Sequence, residues 1–99
     1  MSDVLKEGVI LLHPIRYKIV DVLKRADKPM YIDEIATKIE EDRRLVSFHL
    51  TTLEDRGFAT SEFGIVKKPS SMGKAGRFFK LTPKVDSVLE ELTKILDKI

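Results

Sequence analysis

Six side chains between positions 43 and 52 are of types that make specific contacts to a polyanion: Arg43, Arg44, Ser47, Phe48, Thr51 and Thr52. If Val46 faces inward on a helix, Leu50 and Leu53 lie within about 40° of it at about 100° per residue. Arg44, Ser47, Phe48, Thr51, Thr52 and Asp55 then take the opposite side, and Arg43 sits at the helix start. Guanidinium forks match O6 and N7 of guanine, hydroxyls bond bases or phosphates, and an apolar ring contacts thymine methyls. The chain has no Asn and no Gln, so bidentate reading of adenine is not open to it and direct readout should favour guanine through Arg and thymine through Phe48. Asp55 would repel phosphate, which ends this surface near Thr52. Phe48 either faces the ligand or buries against a neighbouring element.

A second basic group, Lys67, Lys68, Lys74 and Arg77, flanks the small residues of the segment Pro69-Ser70-Ser71-Met72-Gly73. Such a tip can follow phosphates or enter the minor groove, where the potential is most negative when the groove is narrow. The net charge of +2 conceals this pattern: residues 43–80 hold eight basic against three acidic side chains, whereas residues 1–42 hold seven against nine. One concentrated basic third in a nearly neutral chain fits a protein that meets a polyanion on one face.

Other chemistries find little support. Zero Cys excludes disulfides, thiolate metal sites and thiol redox sensing. His13 and His49 have no spacing relation that suits a metal. His13 reads as a helix-entry residue, and His49, at the edge of the apolar stripe, as a packed, hydrogen-bonded histidine. No nucleophile, base and oxyanion donor gather, so no enzyme and no cofactor is expected. No stretch approaches the length of a membrane span and the N-terminus lacks a signal pattern, which leaves a cytoplasmic location by default.

The elements that position these residues follow from pattern. Val4 to Leu12 suits a short first helix. Pro14 opens a second, with Ile15, Ile19, Val22 and Leu23 on one stripe, ended by Ala26-Asp27-Lys28-Pro29. Met30-Tyr31-Ile32 allows one small strand. Asp33 is expected to cap a third helix carrying Ile35, Ala36 and Ile39, and Asp42 a fourth, which Gly57 stops. Phe58 to Val66 and Gly76 to Leu81 read as a β-hairpin with a long tip. Thr82 is expected to cap a last helix with Pro83 at its first position.

Helix, helix-turn-helix, basic hairpin, terminal helix is the winged-helix plan. His13-Pro14-Ile15-Arg16, Asp33-Glu34-Ile35-Ala36, the run Leu45-Val46-Ser47-Phe48-His49-Leu50-Thr51-Thr52-Leu53 and Glu54-Asp55-Arg56-Gly57-Phe58 resemble the ArsR family of dimeric bacterial and archaeal transcriptional repressors. Gly76-Arg77-Phe78-Phe79-Lys80-Leu81-Thr82 resembles the returning wing strand shared with MarR-like relatives. The resemblance covers roughly residues 13–85 and departs at three places. His13 replaces the family's Asp before the Pro, Glu41 replaces an apolar residue before the recognition-helix cap, and the metal motifs are missing. It therefore implies a regulator of the non-metal-sensing type. The lack of Asn and Gln, with many charges and Ile, resembles heat-adapted proteins such as those of an archaeon.

The expected architecture is mainly α with a small β-hairpin: one winged-helix domain over 1–99, its helix-turn-helix about 33–57, wing about 58–81 and C-terminal dimerisation helix about 83–99. A chain of this length buries only about 60–65% of its unfolded surface, so self-association is attractive. Val4, Leu5 and Val9 at one end, and Val88, Leu89, Leu92, Ile95, Leu96 and Ile99 at the other, offer more apolar surface than one small core uses. Packing them against a second copy would bring two recognition helices to successive major grooves. The alternative is that both ends pack on one core. The functional expectation is a homodimeric, sequence-specific regulator of transcription, a repressor by resemblance, acting on pseudo-palindromic double-stranded DNA with no membrane partner. A winged-helix module for protein–protein contact is the other class. The sequence identifies no small-molecule effector.

Overall fold

The boundaries of α2, α3 and α4 are set by identifiable local groups. The computed structural model describes residues 2–66 and 75–98. Helix α1 spans Ser2–Leu11 and α2 spans Pro14–Ala26. His13 is the N-cap of α2: its Nδ1 accepts the Ile15 N–H at 3.2 Å, so an imidazole performs the cap that a carboxylate usually provides. Asp27 closes α2 in the left-handed conformation at φ 52°. Strand β1 (Met30–Tyr31) leads directly into α3 (Ile32–Ile39). Asp33 is not its cap, contrary to the sequence expectation. The N-cap is Tyr31, two residues earlier, so the helix begins at Ile32, and the Glu34 carboxylate reaches back to accept the Tyr31 N–H at 3.1 Å.

Helix α4 covers Arg43–Asp55, capped by Asp42 as expected, whose carboxylate accepts from Arg44 N. Glu41 forms an ion pair with Lys18 of α2 at 3.6 Å, a polar link where an apolar staple was missing. Strands β2 (Ala59–Ile65) and β3 (Ala75–Leu81) pair antiparallel, Ala59 opposite Leu81 and Ile65 opposite Ala75; β1 joins the far side of β3, giving the order β1-β3-β2. Thr82 does not cap α5 (Lys84–Asp97). Its hydroxyl donates to the Gly57 carbonyl at 2.6 Å, and Pro83 holds the N-cap position without a side-chain bond.

One core joins these elements. Ile19 and Leu23 of α2, Ile35 of α3, Val46, Leu50 and Leu53 of α4, Phe58, Phe79 of β3 and Val85 of α5 are all essentially without solvent contact. Burial of each such side chain contributes about 1.5–3 kcal/mol. Helix α1 lies against α5. Gly8 makes that approach possible, because a Cβ there would come within 2.6 Å of the Leu92 side chain. The outer face of the wing has a small aromatic cover of its own. Tyr31 and Phe78 meet at 5.7 Å between ring centroids, Tyr31 over Gly76 and Phe78 over Gly64. A methyl at Gly76 would collide with the Tyr31 ring, while at Gly64 the nearest Phe78 atom is 3.0 Å away.

Overpacking of this kind costs about 1–3 kcal/mol. Gly76→Ala is therefore expected to lower the urea midpoint by that equivalent, and Gly64→Ala by clearly less. Equal, negligible losses in both variants would show that Tyr31 does not pin the wing.

Candidate nucleic-acid interface

Helix α4 is held from three sides and left open on the fourth. Val46, Leu50 and Leu53 are fully buried, as the wheel predicts. Arg43, Arg44, Phe48 and Thr51 are exposed and Ser47 and Thr52 half-buried. Phe48 is 62% exposed, which resolves the alternative left open by its apolarity: it does not fill a neighbouring element. Leu45, not singled out by sequence, also reaches the surface. Arg43 forms an ion pair with Asp33 at the start of α3, which orients its fork at the helix entrance. The Thr52 hydroxyl donates to the Phe48 carbonyl at 3.1 Å.

Beneath this face lies a polar lock. His49 is 3% exposed, the one buried charged or polar side chain among the described residues. Its Nδ1 accepts from Arg16 Nε at 3.1 Å, and a second Arg16 nitrogen donates to the Ile10 carbonyl at 3.2 Å. The His13 ring stands 4.4 Å from it, and the exposed Phe48 ring meets it edge-on at 5.1 Å. The Arg16 donor on Nδ1 fixes the remaining proton of the neutral His49 ring on Nε2. Burial first, then the electrostatic influence of His13 and Arg16, holds His49 below the ordinary histidine range. Sequence reading found a packed histidine; its partner, 33 residues away, had no local signal.

The wing is tied to α4 by a second polar cluster. Arg77 of β3 forms an ion pair with Glu54 of α4 and bonds Ser61 Oγ at 2.7 Å, while Ser61 donates to Glu54 at 2.6 Å. Arg77 also lies over the Phe79 ring at 5.0 Å. The Ser61 hydrogen bond, aided by Arg77, keeps the Glu54 carboxyl below the usual carboxylate range. Arg77 is thus half-buried and engaged by the chain itself, unlike the free tip cation the sequence suggested. Lys67, Lys68 and Lys74 lie outside the described residues.

At the other end of α4, Lys84 donates to the Arg56 carbonyl at 2.6 Å, stands 4.7 Å over the Phe58 ring and pairs with Glu7 of α1 at 3.1 Å. A cation at a helix C-terminus offsets the negative end of its dipole. Gly57, at φ 81°, makes the exit turn.

The described residues read as dimer-forming separate into three groups. Val88 is buried in the chain's own core, so it is not on offer to a second copy. Val4, Leu89, Leu92 and Ile95 are half-buried, because α1 and α5 pack on each other within one subunit. Leu5, Val9 and Leu96 remain exposed, as does Leu12 just past α1. Ile99 lies outside the described residues. No helix among those described is long and apolar enough to cross a membrane.

A family model described as a helix-turn-helix domain matches residues 11–62, the stretch that contains α2, β1, α3, α4 and the first residues of β2. An uncharacterised HTH-type transcriptional regulator of Methanocaldococcus jannaschii is 40% identical over 62 residues, which are 63% of this chain and 63% of that protein, so the chain spans less than two thirds of this curated relative. The fold is that of winged helix-turn-helix regulators. It superposes with a TM-score of 0.64 on the homodimeric DNA-binding domain of a Mycobacterium bovis protein described as ArsR-family, at 17% identity, covering 98% of this chain and 81% of that one. For the transcriptional repressor BigR of Xylella fastidiosa the TM-score is 0.63 at 21% identity, covering 95% and 80%.

The His49 environment has a signed consequence. A histidine whose folded pKa is depressed binds fewer protons folded than unfolded, so stability rises with pH through the window below about 6.5 and falls on acidification. The urea midpoint of the native chain is expected to drop between about pH 7 and pH 5. His49→Gln, which keeps an acceptor for Arg16, should show a shallower drop. Parallel profiles for the two proteins would remove His49 as the source.

Proposed function

Because the chain belongs to the helix-turn-helix domain family, we propose that it is a homodimeric regulator of transcription, acting as a repressor on pseudo-palindromic double-stranded DNA. The observation that carries this reading is the outward face of α4. A helix whose inner stripe is wholly buried presents Arg43, Arg44, Ser47, Phe48, Thr51 and Thr52 together on a convex surface suited to the major groove. Arg44 is free to fork onto guanine, Phe48 meets thymine methyls, and the hydroxyls of Ser47 and Thr51 bond bases or phosphates. Lys67, Lys68 and Lys74 of the wing add phosphate contacts. Arg77 serves instead to hold the wing against α4.

The second copy docks on the exposed apolar groups of the α1–α5 layer, Leu5, Val9, Leu12 and Leu96. Two copies related by a twofold axis would set their α4 helices about 34 Å apart, one turn of duplex. The likeness to a homodimeric domain and to a named repressor supports both the assembly and the direction of regulation.

Selection of bound duplexes from a random pool tests the reading. It is expected to return palindromic sites with guanine in each half, and these should outcompete random duplex by about 10³ or more at physiological salt. Equal competition would favour a protein-binding module instead. Leu96→Asp is expected to halve the mass measured by light scattering at micromolar concentration and to weaken binding of the selected site; an unchanged mass would move the subunit contact elsewhere.

A further inference from the structure

His49 lies on the inner side of the helix whose outer side is the candidate interface, almost wholly shut off from water. Arg16 of α2 donates its Nε–H to the His49 Nδ1 at 3.1 Å and gives a second nitrogen to the Ile10 carbonyl of α1 at 3.2 Å. His13, at the N-cap of α2, stands ring to ring with His49, and the exposed Phe48 of α4 meets it edge-on. The other charged groups at the contacts of α4 are engaged elsewhere. From α3, Asp33 is held by Arg43, six residues before His49; from the sheet, Arg77 and Ser61 hold Glu54, five residues after it. Lys18 of α2 turns to Glu41, and Glu7 of α1 to Lys84 of α5. The titratable and charged groups that act on the ring are therefore Arg16 and His13.

This arrangement has no place for a second proton on the ring. A neutral imidazole accepts at one nitrogen, whereas an imidazolium carries N–H on both and accepts at neither. Protonation would turn an N–H against the N–H of Arg16 and set two positive charges in hydrogen-bond contact where water cannot screen them. Arg16 keeps a second hold, on the Ile10 carbonyl, so the imidazole is the partner that gives way. The ring that packs on that imidazole from the outward face is Phe48.

We propose that the proton is an effector of this protein: protonation of His49 breaks its contact with Arg16, displaces Phe48 on the outward face of α4, and weakens binding of the specific duplex while the chain stays folded. This rests on the DNA-binding reading above and names a regulation of that same surface. Burial, with His13 and Arg16, already holds the ring below the ordinary histidine range, so the switch acts on the acid side of neutrality. Its sign is the reverse of what net charge dictates. Acidification makes a chain more cationic and ordinarily tightens its hold on phosphates, which in turn raise the pKa of a nearby histidine. A duplex that requires the neutral ring must instead lower the His49 midpoint.

The test follows the His49 ring nitrogens by NMR in the full-length chain, free and saturated with a duplex selected by that chain. Affinities of the unmodified chain and of His49→Gln are measured alongside, from about pH 7.5 to one unit below the free-chain midpoint, with circular dichroism and light scattering at each pH. Saturating duplex is expected to lower the midpoint. At the lowest pH the unmodified chain should have lost about tenfold in affinity for the selected site, because only about a tenth of it retains the neutral ring. His49→Gln should lose clearly less, and binding of random duplex, held by charge, should not weaken. A midpoint that the duplex leaves in place or raises, equal losses in the two proteins, or a loss that tracks unfolding or a halved mass would each overturn the switch. Should His49→Gln fail to fold, the direction of the midpoint shift decides alone. If the unmodified chain selects no duplex at about pH 7.5, the DNA-binding reading itself has failed; if it selects one and acid leaves the affinity unchanged, only the switch has.

Discussion

Burial of Val46, Leu50 and Leu53 against α2, α3 and the sheet fixes which way α4 faces, and every other functional feature depends on that choice. A helix seated by three apolar side chains alone could roll or slide by a fraction of a turn. Three polar contacts, each from a different element, remove that freedom: Arg16 of α2 on His49, Arg77 of β3 on Glu54, and Lys84 of α5 on the Arg56 carbonyl. Exposed ion pairs add little to stability. These are partly sheltered and geometrically specific, so their contribution is orientation. The residues that grip α4 lie on its sides and below it, which leaves Arg44, Phe48 and Thr51 without a structural duty.

Much of this was legible in the sequence because it is local. The stripe at 46, 50 and 53 encodes both the seat and, by exclusion, the outward face. His13-Pro14 marks the start of α2, Asp42 the start of α4 and Gly57 its end. What was not legible joins distant parts of the chain. Asp33 and Thr82 each read as a cap, but Glu34 satisfies the Tyr31 amide, and Gly57, 25 residues from Thr82, takes its hydroxyl. Arg77 looked like a free cation in a basic hairpin until Glu54 and Ser61 were brought against it by the register of β2 on β3. Val88 belonged to the same helical stripe as Leu96, yet one end of that stripe fills the core and the other faces solvent.

The place of His13 illustrates how one substitution alters the physics beneath the interface. The resemblance leads one to expect a carboxylate before Pro14. A carboxylate there would cap α2 and also attract charge toward His49. The imidazole still caps, but it sets two titratable rings and a guanidinium side by side with no acid among the groups described around them. With its Nδ1 accepting from Arg16 and its pKa held down by burial, His49 serves the lock as a neutral ring, which couples the seat of the outward face to acidity.

The most direct test of the central claim, that α4 is a rigidly held surface whose outward side meets duplex DNA, is titration of the isotopically labelled chain with its selected duplex, followed by amide chemical shifts. The expected result is that the largest changes fall on residues 43–52 and on the wing, while amides of α1 and α5 remote from the duplex stay in place. Shifts concentrated on α1 and α5, with residues 43–52 unmoved at saturation, would contradict it.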